Sequence, residues 1–203
     1  MKLFQWILLF TIGINSVLII RILNNVEEPI CIPLNWNTIK NGDVVLRESK
    51  GFIGSQFKRM SQHDKKYSHA GLLRLENGVV YVYHMANENG QSGLIKTSLS
   101  SFVHPAVCRS YEIVRYPMQP NKEQVFEKQL SRIIKSKMHF DDEFLLTNNT
   151  YYCSELIADM MNAYSKVHIP YSQVGNYKYY AIDNLYYHLP IQLILKSNEI
   201  NNN

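Results

Sequence analysis

Tyr67-Ser68-His69-Ala70-Gly71-Leu72-Leu73-Arg74-Leu75 and Val79-Val80-Tyr81-Val82-Tyr83-His84-Met85-Ala86 flank Glu76-Asn77-Gly78. An Asn-Gly pair between two β-rich runs predicts a hairpin with a two-residue loop, because both turn positions need positive φ. That loop places Gly71 opposite His84 and Ala86 opposite His69. Strand side chains alternate, so both imidazoles fall on one side of the sheet. They are diagonal neighbours, about 7–8 Å apart by strand geometry, and two imidazoles can meet across that gap. Gly71 and Ala86 leave room beside them. Two histidines on one strand face are harder to bury than the Leu or Val a core would choose, so the pair reads as chemistry, with a purely structural pair as the other reading. A loop one residue longer would undo this register.

Outward from the hairpin, Asn41-Gly42 marks a turn and Val44-Val45-Leu46 a short buried strand, while residues 51–66 read as a loop holding a short helix. Ile95 and the segment Ala106 to Tyr116 supply further strand material. After Pro120-Asn121 an apolar stripe of Val125, Phe126, Leu130, Ile133 and Ile134 predicts an amphipathic helix. A second helix starts near Cys153, where Leu156, Ile157, Met160, Met161 and Tyr164 recur at helical spacing. Strands come first and helices follow, which predicts an α+β domain with a small antiparallel sheet packed with helices over residues 39–195. The Asn-rich end, 196–203, reads as a disordered tail.

The N-terminal part differs in kind. Leu3 to Ile20 are eighteen residues without a charge, flanked by Lys2 and Arg21. Residues 1–25 are therefore expected to be a signal anchor or a signal peptide, a buried core helix being the other reading, with a linker over 26–38. An anchor implies a chain held at the membrane by its N-terminal helix and exported to the periplasm or cell envelope. Hydrophobic residues are 46% of the 203 and charged residues 19%, so the rest folds around a core. A net charge of +4 is too small for a dedicated nucleic-acid binder. It is uneven, however: Lys40 to Arg74 carry eight basic residues against Asp43, Glu48 and Asp64. That excess is either a solvated surface or an attraction to an anionic partner. Three cysteines (Cys31, Cys108, Cys153) are too few for a disulfide scaffold.

Cys153 is the candidate nucleophile. Asn148-Asn149-Thr150 has turn-and-cap composition, and Tyr151-Tyr152-Cys153-Ser154-Glu155 leads into the second helix. A thiol in a first helical turn feels the positive end of the helix dipole, which is expected to lower its pKa. The same turn offers free backbone N–H groups for an oxyanion. His69 would take the thiol proton, and His84 would hold His69 in the right tautomer. The plainer alternative is a buried Cys packed as a small hydrophobe. The other histidines, His63, His104, His139, His168 and His188, show no metal-ligand spacing, and Met160-Met161 sits on the core stripe.

These segments resemble the permuted papain-like amidases of the YiiX-like family, within the NlpC-type cysteine hydrolases. The resemblance lies in Asn41-Gly42-Asp43-Val44-Val45-Leu46-Arg47, Tyr67 to Leu72, Val82 to Ala86 and Tyr151 to Leu156, with weaker matches at Phe140 to Phe144 and Ile182 to Leu185. It implies a papain-like site reached by circular permutation, histidine first and cysteine last. Cys153 would be nucleophile, His69 base and His84 the orienting group, a position many members fill with Glu. Tyr152 and the Cys153 N–H would lie on the oxyanion side. Asp43, Glu155, Asp141 and Asp142 read as structural.

The function expected is a cysteine hydrolase cleaving an amide, in a cell-wall peptide or a lipid-linked amide, through a thioester and without a cofactor. A thiol acyltransferase or an esterase on lipids would use the same residues. Two other classes stay open: a zinc site made by Cys153, His69 and His84, and a binding domain of this fold without catalysis.

Overall fold

The computed structural model describes residues 38–88 and 90–197. The expected membrane segment (1–25) and all of the linker but its last residue lie outside them, as do residues 198–203. Among the described residues no helix is long and apolar enough to cross a membrane.

Six strands form one antiparallel sheet: β1 (Val44–Ser49), β2 (His69–Glu76), β3 (Val79–Glu88), β4 (Gln91–Ser98), β5 (Cys108–Arg115) and, later, β8 (Gln192–Lys196), in the order β4-β3-β2-β1-β5-β8. The hairpin register is the one its turn demands. Asn77 and Gly78 have φ of 50° and 78°, and pairing runs from Glu76↔Val79 to Leu72↔Tyr83. At its far end β2 is held by β1, through Leu46↔Ala70 and Arg47↔His69. Gly71 still lies against His84: a Cβ there would come 3.1 Å from the His84 Cβ and 2.3 Å from Val82 Cγ1. Only glycine permits that approach.

Between the strands lie α1 (Phe52–Met60), a one-turn helix α2 (Leu99–Phe102), α3 (Glu123–Lys135) and α4 (Cys153–Tyr164). A small hairpin of β6 (Ser172–Val174) and β7 (Tyr177–Tyr179) and a 3-10 turn at Asp183–Leu185 precede β8. The two faces of the sheet have different covers. Val44, Leu46, Ala70, Leu72 and Met85 pack against Phe126, Leu130 and Ile133 of α3 and Leu156, Ile157, Met160 and Met161 of α4, forming the main core with Cys153 inside it. Val45, Leu73, Val82 and Ile113 alternate to the other side, where α2 supplies buried Leu99 and Phe102. Each fully buried aliphatic side chain contributes about 1.5–3 kcal/mol of transfer free energy, so both layers matter for stability.

The α+β expectation holds, and the expected tail begins too early. Lys196 belongs to β8 and pairs with Glu112, and Ser197 exchanges hydrogen bonds with Tyr111 (Oγ accepting at 2.9 Å, N–H donating at 3.0 Å). Edge pairing to β5 orders a segment whose composition alone reads as frayed.

Candidate active site

The two histidines meet. His69 Nε2 and His84 Nδ1 are 2.9 Å apart, with ring centroids 5.0 Å apart at 89°. The other nitrogen of His84, Nε2, contacts Thr97 Oγ1 of β4 at 3.1 Å. Phe102 of α2 closes the group, 5.5 Å from His69 and 5.0 Å from His84. Beside them a pocket of about 580 Å³ opens at this end of the sheet. Its apolar walls include Phe57, Met85, Phe102, Phe140 and Phe144, and its polar lining includes Arg47, His69, His84 and Asp142.

Cys153 stands at the first position of α4, after the extended Tyr152. It is 1% exposed and belongs to the main core, on the face of Ala70 and Met85. Backbone N–H groups of Ala70, Cys153 and Ser154 approach its sulfur. Ala70 is the residue after His69. Thiol and imidazole therefore reach the head of β2 from its two faces, at neighbouring residues. Two nitrogens of the histidine pair face each other and a third faces Thr97, so His69 Nδ1 is the ring nitrogen left without one of these partners.

Electrostatics here correct one expectation. The helix start and its N–H groups do favour thiolate, but burial outweighs them and pushes Cys153 up to about 11. Cys108, also a free buried thiol, is pushed up to about 11 by its own burial. Burial, then the His84 and Arg47 charges, holds His69 well below the usual imidazole range. His69 keeps part of its surface open to the pocket, yet protein packs around the ring closely enough to penalise its cation. His84 is lowered to about 3, by burial first and Arg47 second. At neutral pH the three groups are a neutral thiol and two neutral imidazoles.

The Tyr152 hydroxyl, expected on the oxyanion side, accepts instead from the Tyr180 N–H at 2.6 Å, and its ring packs 5.1 Å from Phe144. This phenol ties the head of α4 to the C-terminal segment and does not line the pocket. The structural readings of three acids hold. Asp43 accepts from Arg115 Nε and Nη2 at 2.7 and 2.8 Å and from the Lys40 N–H at 2.8 Å. Asp141 accepts from the Glu143 and Leu145 N–H groups. Glu155 faces the Tyr152 N–H at 3.4 Å and is pushed up to about 8, by burial first. Asp142 differs, since it lines the pocket and accepts from Asn87 Nδ2 at 3.3 Å. Near the end, Asp183 Oδ2 gathers the Gln62 and His63 N–H groups at 2.9 and 2.7 Å, pinning the loop before Tyr67. Three of the eight basic residues of 40–74 are spent internally: Lys58 pairs with Glu48, Lys66 with Glu112, and Arg74 lies near Glu76 and Glu127.

Sequence reasoning missed Arg47, Thr97 and Phe102. A signal for Arg47 was present, because it shares a face with Val45 and lies across from His69. Thr97 and Phe102 depend on where β4 and α2 fall, which local pattern does not fix.

No curated protein matches the chain. Among solved structures, the crystal structure of the metalloprotein yiiX from Escherichia coli O157:H7 shares the fold, with a TM-score of 0.62 at 15% identity, covering 79% of this chain and 98% of that one. Residues 38–185, a span holding both histidines, Arg47 and the head of α4, match the family model of the permuted papain-like amidase enzymes, YaeF/YiiX, C92 family. A histidine-bearing hairpin early in the chain and a cysteine-headed helix late in it are the order such a permutation produces, and the chain belongs to that family.

Proposed function

We propose that the protein is a cysteine hydrolase that cleaves an amide, in a cell-wall peptide or a lipid-linked amide, through a thioester at Cys153. The observation that carries this reading is the 2.9 Å contact between His69 Nε2 and His84 Nδ1, next to the peptide that meets the Cys153 sulfur. With Nε2–H of His69 donating to His84 Nδ1, the His69 Nδ1 lone pair is the base, and His84 Nε2–H can donate to Thr97 Oγ1. The opposite tautomer would leave His69 no lone pair for the thiol.

Because thiol and imidazole are both neutral, proton transfer accompanies attack and no ion pair is preformed. Sγ bonds to the carbonyl carbon as its proton passes to Nδ1 through one bridging water at the head of β2. The oxyanion is met by N–H groups at the head of α4. His69 then gives the proton to the departing nitrogen, the C–N bond breaks, and water deprotonated by His69 releases the acid. His84 supports the transient imidazolium as a neutral acceptor, more weakly than a carboxylate would. An N-terminal anchor would hold this domain at the envelope membrane.

The yiiX protein is described as a metalloprotein. The residues here do not make a matching ligand set: among those described, no three His, Cys, Asp or Glu side chains gather around a common point. The histidine nitrogens face each other and Thr97, and Cys153 lies on the other face of the strand. A zinc site of Cys153, His69 and His84 is not favoured by this arrangement.

The test is amine release from acyl-aminocoumarin amides. Wild type turns over in the presence of EDTA, whereas Cys153→Ala loses activity by more than about 10⁴-fold. Equal turnover by Cys153→Ala, or loss of turnover on chelation, overturns the reading.

A further inference from the structure

Arg47 is 9% exposed and lines the pocket. Its Nη1 donates to the Phe102 carbonyl at 2.7 Å, its Nε to Ser49 Oγ at 3.0 Å, and its guanidinium carbon lies 4.0 Å over the Phe102 ring. Among the described residues no carboxylate forms an ion pair with it. Nη2 makes no hydrogen bond in that group, yet it is not sealed in the interior. A buried guanidinium with donors to spare is an expensive feature for a core and a useful one for a site. Glu88 and Asp142 are the acids of the pocket, and neither pairs with Arg47. Arg47 is also the direct cross-strand partner of His69, so its head serves the same end of the sheet as the base.

We propose that Arg47 binds the carboxylate of the substrate, and that the substrate is an N-acyl amino acid whose acyl group lies along Phe57, Phe140 and Phe144. As direct cross-strand partners Arg47 and His69 stand on one face of the sheet, so a carboxylate on the guanidinium lies at the same end of the pocket as the base. Planar guanidinium donors suit a carboxylate. The acids on the pocket lining disfavour a carboxylate lying beside them and so help set its direction. Neutralising Arg47 would also ease the transient imidazolium at His69, which the Arg47 charge opposes. This assignment rests on the amidase reading for its reaction, but not for its binding.

The experiment is calorimetric titration of the full-length Cys153→Ala chain with N-benzoylglycine and with its neutral analogue N-benzoylglycinamide. The acid is expected to bind at least about tenfold more tightly, with a margin that shrinks as NaCl is raised. Arg47→Gln should bring the acid down to the amide's affinity and leave the amide within about threefold of its starting value. Equal affinity of acid and amide, no saturable binding of either, or equal weakening of both by Arg47→Gln overturns the proposal. Should Arg47→Gln fail to fold, the acid-against-amide comparison in the Arg47-bearing protein decides alone. Failure of wild type to release amine from the acyl-aminocoumarin amides despite acid-selective binding would remove the hydrolase reading and leave the anion site standing.

Discussion

The two ends of β1 treat charge in opposite ways. At its start, Asp43 is 1% exposed and fully engaged, with Arg115 in a two-pronged ion pair and the Lys40 N–H on Oδ2. The hydrogen bonds to Asp43 raise the pKa of Arg115. Near its end, Arg47 has a carbonyl, a hydroxyl and a ring for company, and burial lowers its pKa even though the Glu88 charge acts to raise it. The closed pair is architecture. The open cation, with two neutral imidazoles beside it, has the unfinished electrostatics that a ligand or a transition state completes. On the proposed reading, the difference separates residues that hold the sheet from residues that meet substrate.

Mutations should divide along the same line. His69→Ala is expected to lower turnover by about 10³–10⁴-fold while changing stability by no more than about 1 kcal/mol, measured by steady-state kinetics and urea melts. At the other end, Arg115→Met leaves the Asp43 carboxylate buried without its cation and should cost about 3–5 kcal/mol of stability, with kcat/KM unchanged where the variant is folded. If Arg115→Met loses activity but no stability, the division fails.

Acid supplies a smaller effect. Between pH 6.5 and about 3 the unfolded chain binds a proton at His84 that the folded protein refuses, so this group's contribution to stability falls as pH falls. The slope is up to about 1.4 kcal/mol per pH unit. Glu155, pushed up to about 8, works the other way and loses its contribution as pH rises from 4.5 towards 8. Urea melts isolate the imidazole: from pH 7 to pH 5, His84→Asn should lose about 2 kcal/mol less than wild type. Equal losses would mean that His84 is not held neutral.

The smallest expected change is in Arg47→Met. Removing an unpaired buried cation orphans only the Phe102 carbonyl and Ser49 hydroxyl, so stability should move by less than about 1.5 kcal/mol in either direction. A loss as large as that of Arg115→Met would show Arg47 to be a structural partner after all.

Much of the fold was legible because it depends on short-range rules. Asn77-Gly78 sets the hairpin register, and that register alone predicted the meeting of His69 and His84, down to the space that Gly71 leaves. The apolar stripes of α3 and α4 announced both helices. Less legible was whatever depends on distant surroundings. The helix dipole at Cys153 is a local feature, whereas the burial that overrides it comes from Ala70, Met85 and their neighbours. The Tyr152 hydroxyl finds Tyr180, and Asp183 finds Gln62 and His63, across long stretches of chain that composition cannot join. β8 exists only because β5 offers an edge.

The central claim is that the sulfur heading α4 attacks a carbonyl with His69 as its base. Intact-mass spectrometry of the full chain treated with p-nitrophenyl hexanoate tests it most directly. A single hexanoyl group mapping to Cys153, absent in Cys153→Ala and formed at least about 10²-fold more slowly in His69→Ala, is the predicted result. Acylation of Cys108 instead, or acylation of Cys153 at the same rate without His69, would contradict it.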